Sequence, residues 1–167
     1  MSEVTRKVGN DEIERRLRRG LMTGISAWAR LVAQRAKVKA PVVSGRLARS
    51  VHEGDPVQVD DFVYRIDVGT NVEYARAVEE GSGLYSIHPE RRQKYLIEPR
   101  YRKALAFDVG AGGPGVSGAS GQSRQVIVKR VWHPGVKPRP FLVPAARESI
   151  PEGKVLVMSA VRAELVR

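Results

Sequence analysis

Between Asp11 and Lys39 apolar residues return at every third or fourth position: Ile13, Leu17, Leu21, Ile25, Trp28, Leu31 and Val32. That spacing places them on one stripe of an α-helix. Pro41 ends it, because the residue before a proline is driven away from helical angles. Asn10 or Asp11 supplies a cap, its side-chain oxygen accepting free N–H groups of the first turn, which leaves residues 1–10 as a flexible N-terminus. At 1.5 Å per residue the helix is about 40 Å long. That is long for a chain of 167 residues, so one end is expected to project or to meet a neighbour. Arg15, Arg16, Arg18 and Arg19 crowd its start. Cations sit poorly beside the positive end of a helix dipole, so an acidic partner surface is the expected cover.

A second, short helix is predicted from Ser44, with Leu47 and Val51 on one face. Val57 and Val59, then Val63, Tyr64, Ile66 and Val68, partly alternate as two strands around a turn at Asp60-Asp61, and Gly69 ends the second. Tyr74 to Glu80 reads as a short helical segment stopped by Gly81. Residues 82–100 give no clear period. Tyr101–Phe107 and Gln125–Trp132 read as the two arms of a long hairpin. Its tip, residues 109–123, is so rich in glycine and serine that a flexible loop is expected. The last helix is predicted from Phe141 to about Ser149, broken near Pro151 and resumed from Val155 to Val166. No internal repeat is visible. The result is one α+β domain over residues 1–167: an antiparallel sheet of about four strands packed against a long N-terminal and a C-terminal helix, with a long flexible hairpin.

Charge narrows the partners. The 29 Lys and Arg against 18 Asp and Glu give a formal net charge of +11, which favours polyanions or acidic protein faces as neighbours. No zinc-finger spacing, basic zipper or RNA-binding aromatic signature accompanies it. There is no cysteine, hence no disulfide framework, thiolate zinc site or cysteine nucleophile. No apolar run approaches the roughly 20 residues that cross a bilayer, and Met1–Asp11 has no signal-peptide core. The chain is expected in the cytosol until it enters an assembly, with no membrane partner.

Motifs for chemistry are weak. The glycine-rich stretch lacks the Gly-Lys-Ser/Thr closure of a phosphate loop and no helix follows it. His52, His88 and His133 are dispersed, and Ser117 lacks a nucleophile elbow. Glu73, Glu79 and Glu80 face no second acidic motif, so surface pairing with arginines of an adjacent subunit is expected. His133-Pro134-Gly135 reads as a rigid turn. Pro138-Arg139-Pro140 then holds an extended segment that aims Phe141 and Leu142 at the core or at a neighbour. No catalytic, metal or cofactor-binding residue is assigned.

Four segments in order carry a resemblance: Ala40-Pro41-Val42-Val43-Ser44-Gly45-Arg46-Leu47-Ala48-Arg49-Ser50-Val51, Val68-Gly69-Thr70-Asn71-Val72-Glu73-Tyr74-Ala75, Val78-Glu79-Glu80-Gly81, and His133-Pro134-Gly135 through Pro140-Phe141-Leu142-Val143-Pro144-Ala145. Together they resemble the neck, or tail-completion, proteins of long-tailed non-contractile phages, prophages and gene transfer agents. The resemblance implies helices on one antiparallel sheet, and a ring of six subunits, or twelve, at the head–tail junction of a virion assembled in the host cytoplasm. It implies head-connector or stopper proteins on one side, tail terminator or tail tube proteins on the other, DNA in the channel, and no enzymatic activity or cofactor. The Gly/Ser insertion and the charged stretch near Arg91 depart from the simplest family pattern. Arg15, Arg16, Arg18, Arg19, Glu73, Tyr74, Glu79, Glu80, His133, Pro134, Gly135, Pro140 and Phe141 are the candidate contacts with other subunits or partners. The rival readings are a free-standing basic nucleic-acid-binding module, and a small hydrolase or nuclease using His and Glu.

Overall fold

The computed structural model describes residues 2–42, 44–109 and 124–166. In chain order the elements are α1 (Ser2–Lys39), α2 (Arg46–Ser50), β1 (His52–Glu53), β2 (Val57–Asp60), β3 (Val63–Arg65), β4 (Val68–Gly69), α3 (Ala75–Glu80), β5 (Tyr95–Ile97), β6 (Leu105–Val109), β7 (Arg124–Val128), β8 (Val131–His133) and α4 (Leu142–Val166). Short 3₁₀ turns at Gly83–Tyr85 and Pro89–Arg91 occupy the stretch without a clear period. The chain forms two compact units, residues 1–79 with 139–167, and residues 80–138.

In the first unit, α1 is longer than its apolar stripe. Its 38 residues span about 57 Å. Asn10 and Asp11 therefore lie inside the helix and do not cap it. Against α1, α4 runs antiparallel: Arg19 meets Glu164 at 3.2 Å, Trp28 meets Ser149, and Lys39 meets Glu148 at 2.9 Å. The seam is made of small residues. A Cβ on Gly20 would lie 2.7 Å from the Val161 Cα, and one on Gly24 would lie 2.6 Å from the Val157 Cα, so the two backbones touch where glycine leaves room. Further along, Ala29, Val32, Ala33, Ala36 and Ala40 are buried. Of the apolar stripe read from the sequence, Val32 is buried, Leu17, Leu21, Ile25, Trp28 and Leu31 are half-buried flanks, and Ile13 is 54% exposed.

Trp28 is the largest side chain at this seam. Its indole N–H donates to Ser149 Oγ (2.8 Å), which in turn donates to the Ala146 carbonyl (2.7 Å). Its ring lies over Gly153, where an added Cβ would come within 2.3 Å of the ring carbons. The expected break at Pro151 does not occur: α4 continues through it. A mid-helix proline removes one N–H donor and costs on the order of 3 kcal/mol. Packing of the whole α4 face along α1 offsets it.

The core of this unit joins the end of α1 to α2, α3 and the start of α4 through Leu47, Val51, Val72, Ala75, Phe141 and Ala145. The second helix begins at Arg46, not at Ser44, after Gly45 in the left-handed region (φ 71°). The Ser50 and Thr70 hydroxyls are hydrogen-bonded at 2.6 Å, and Thr70 Oγ1 accepts the Val72 N–H at 3.2 Å. The segment expected as one strand from Val63 to Val68 is two, β3 and β4. They separate around Asp67, whose carbonyl accepts the Gly54 N–H at 2.8 Å.

The fold class is as expected, helices with antiparallel strands. Among the described residues the strands pair two by two: β1 with β4, β2 with β3, β5 with β8, and β6 with β7. They do not join into one sheet of about four strands. Alternation of side chains identifies a strand but not the edge it pairs with.

In the second unit the hairpin arms are β6 and β7, in register from Leu105↔Val128 to Val109↔Arg124. The first arm starts four residues later than read from the sequence. The second is divided into β7 and β8, and β8 pairs with β5. Residues 110–123, expected as the flexible tip, lie outside the described residues.

Candidate assembly surface

Arg15, Arg16, Arg18 and Arg19 of α1 are tied within the chain. Glu12 receives Arg16 Nε at 2.8 Å and Arg15 at 3.0 Å, with Arg19 at 3.9 Å. Arg19 also reaches Glu164, and Arg18 reaches Asp61 at 3.0 Å while lying over the Phe62 ring at 4.9 Å. The hydrogen bond from Arg16 is the main reason the Glu12 carboxyl sits below the usual carboxylate range, and the nearby charges of Arg15, Arg16 and Arg19 act in the same direction. Because α1 begins at Ser2, these cations are more than two turns from the positive helix end. The dipole argument for an acidic cover therefore does not apply.

Glu79 is spent inside the fold. Its Oε2 accepts the N–H groups of Phe141 (2.7 Å) and Leu142 (3.0 Å), and Oε1 accepts that of Val143 (2.9 Å). Three donors of the first turn of α4, which have no partner within their own helix, are thus satisfied by one carboxylate more than sixty residues earlier. An anion at this end also complements the helix dipole. One residue before, the Val78 carbonyl accepts the Arg139 N–H at 2.7 Å. Pro140 needs no acceptor, and Phe141 is 1% exposed in the core. Glu79 and Phe141, read as partner contacts, are here the clasp that starts α4.

Within residues 80–138, the His133-Pro134-Gly135 turn is docked on Ser82-Gly83. Ser82 N–H donates to the Val136 carbonyl (2.9 Å) and Leu84 N–H to the Pro134 carbonyl (2.7 Å). Gly135 has φ 105°, and a Cβ there would strike the Ser82 carbonyl oxygen; no other residue fits. His133 Nδ1 accepts the Gly135 N–H at 3.0 Å, and its ring lies 5.2 Å from that of Tyr95. Glu80 has His88 at 3.3 Å and Arg91 at 3.8 Å. Of the acidic residues singled out, Glu73 is exposed, beside the 44%-exposed Tyr74. Among the described residues no group of three His, Asp or Glu is placed to hold a metal ion, and no helix is long and apolar enough to cross a membrane.

What the sequence reading missed is apolar surface. The β2–β3 ladder has Val57, Val59 and Val63 each more than half exposed, and α4 shows Val155 and Met158 at 67% and 68%. Partial alternation hid the first, since a strand exposed on both faces reads like one exposed on a single face. Isolated two-stranded ladders are marginal in water, and contiguous exposed apolar side chains mark interaction surfaces.

Residues 5–81 match the model of the HK97-gp10-like family, described as "Bacteriophage HK97-gp10, putative tail-component". The match spans just under half of the chain: nearly all of α1, then α2 through α3, ending at the Gly81 turn. It agrees with the resemblance to phage neck and tail-completion proteins carried by the sequence motifs, and supports a structural role in a phage virion. No curated protein and no solved structure matches the chain.

Proposed function

We propose, from the premise that residues 5–81 match a phage tail-component family, that this chain is a structural subunit of the joint between head and tail. It acts as a ring around the DNA channel, without catalysis of its own. The ring has six copies, or twelve, and meets the head connector or stopper on one side and the tail terminator or tail tube on the other. A ring needs a heterologous interface whose rotation closes. The exposed valines of β2 and β3, with Glu73 and Tyr74, are the surface assigned to it. The observation that carries the reading is the pairing of that family match with an exposed apolar ladder on the matched segment itself. Many copies multiply modest contacts into a joint that resists DNA pressure.

Particles assembled without this protein are expected as filled heads and free tails by electron microscopy. Adding the purified chain back is expected to restore joined particles. Normal infectious particles from the deletion would reject the proposal.

A further inference from the structure

Residues 80–138 are the more basic of the two units, with ten Lys and Arg against four Asp and Glu. Arg100, Arg102, Lys103, Lys129 and Arg130 are among the exposed ones. The ladder register gathers them. Residues 98–104 lead from β5 to β6, and residues 129–130 lead from β7 to β8. Ile97 pairs with Val131, and Leu105 pairs with Val128. Both ends of the two connectors are therefore held side by side, which gathers the five residues into one region of this unit. Glu98 is the single acidic residue in them. Among the described residues none of the five cations has a carboxylate partner, unlike the arginines of α1. Tyr101, 93% exposed, stands in the same connector, and Trp132, 63% exposed, follows Arg130 by two residues.

We infer that this cluster is a binding surface for the phosphate backbone of duplex DNA. The cores of protein–protein interfaces are depleted in charged residues, whereas interfaces with DNA are markedly more polar and positive. Five exposed cations on two short connectors fit the second description. The tyrosine hydroxyl adds a neutral donor of the kind that positions a protein on the backbone. The cations stand on connectors and are assigned to phosphates, which carry no sequence information, so binding is independent of sequence. The inference stands on this unit alone and does not require the joint. DNA binding and particle assembly are separate readouts, and either can fail without the other.

Each phosphate contact contributes about −0.9 to the slope of log affinity against log salt. Five contacts give about −4.5, or roughly a 500-fold loss between 50 and 200 mM salt. The test is fluorescence anisotropy of a labelled mixed-sequence duplex titrated with the full chain across that range. The triple variant R100E/K103E/R130E is expected to flatten the slope by about 2.7 and to weaken binding at the lowest salt. A charge-matched control on exposed cations of the other unit, K37E/R147E/K154E, is expected to keep the slope. If reversal prevents folding, R100Q/K103Q/R130Q reads out the same slope change. The inference is overturned by absence of duplex binding at low salt, by equal loss in patch and control variants, or by tighter binding to single strands than to duplex.

Discussion

Replacing Gly153 by alanine sets two effects of opposite sign against each other. Alanine is the better helix former, by about 1 kcal/mol in a helix interior, so on backbone grounds Gly153→Ala stabilises α4. Packing argues the other way. The new Cβ would lie 2.3 to 2.4 Å from three atoms of the Trp28 indole, more than 1 Å inside an ordinary carbon contact. The indole cannot simply swing aside, because its N–H is tied to the buried Ser149 hydroxyl. Overpacking costs about 1–3 kcal/mol, and overlap at three ring atoms belongs at the upper end. The expected net loss is about 2 kcal/mol, a melting temperature lower by roughly 4–8 °C. Trp28→Leu removes the obstacle, so in that background Gly153→Ala is expected to be neutral or stabilising, with a coupling of about 3 kcal/mol across the cycle. Denaturant unfolding followed by circular dichroism measures it. Trp132→Phe, which leaves Trp28 as the sole tryptophan, lets indole fluorescence report the displacement. A Gly153→Ala variant that is more stable than the parent, or equally affected with and without Trp28, would refute the packing argument.

Two further outcomes follow from the geometry. Glu79→Ala strips the acceptors from three N–H groups of α4 and is expected to cost about 2 kcal/mol, with Glu79→Gln near half of that because one carbonyl oxygen survives; faster amide exchange at Phe141, Leu142 and Val143 by NMR locates the loss, and unchanged exchange contradicts the clasp. The Glu12 carboxyl titrates below its ordinary value in the folded chain, so stability from its arginine contacts is present above the unfolded pKa and lost as pH falls through the folded one; Arg16→Ala is expected to raise the Glu12 pKa toward ordinary, read by carboxyl NMR titration, and an unmoved value would remove Arg16 as the principal cause.

The sequence carried the large elements and hid the contacts between them. The Ile13–Val32 periodicity announced α1, but its weight lay on big side chains, while the seam runs through Gly20 and Gly24, which hydrophobic patterning counts as nothing. A four-residue spacing from Gly20 through Gly24 to Trp28, Val32, Ala36 and Ala40 was the available sign of a close helix contact. Pro151 misled because its local penalty is real and only the partner helix outweighs it. Glu79 could not be read as a helix cap, since its acceptors serve backbone far along the chain and no local pattern encodes that. Glu73 and Tyr74, read as candidate contacts with other subunits, are exposed, and that contact belongs to the proposal. For Arg15 and Arg16 the three- and four-residue spacing to Glu12 was the available sign of their pairing, whereas Asp61 and Glu164, which engage Arg18 and Arg19, lie far along the chain and no local pattern encodes them.

The hydrogen bond between Arg139 and Val78 has a topological meaning. The chain leaves the first unit and returns to it at backbone neighbours, 2.7 Å apart from donor to acceptor, so the intervening residues form a closed excursion from an otherwise continuous scaffold. Such an excursion is free to lengthen, shorten or exchange its content while its two feet stay pinned. Related scaffolds carrying quite different excursions at this same pair of positions are what that arrangement permits.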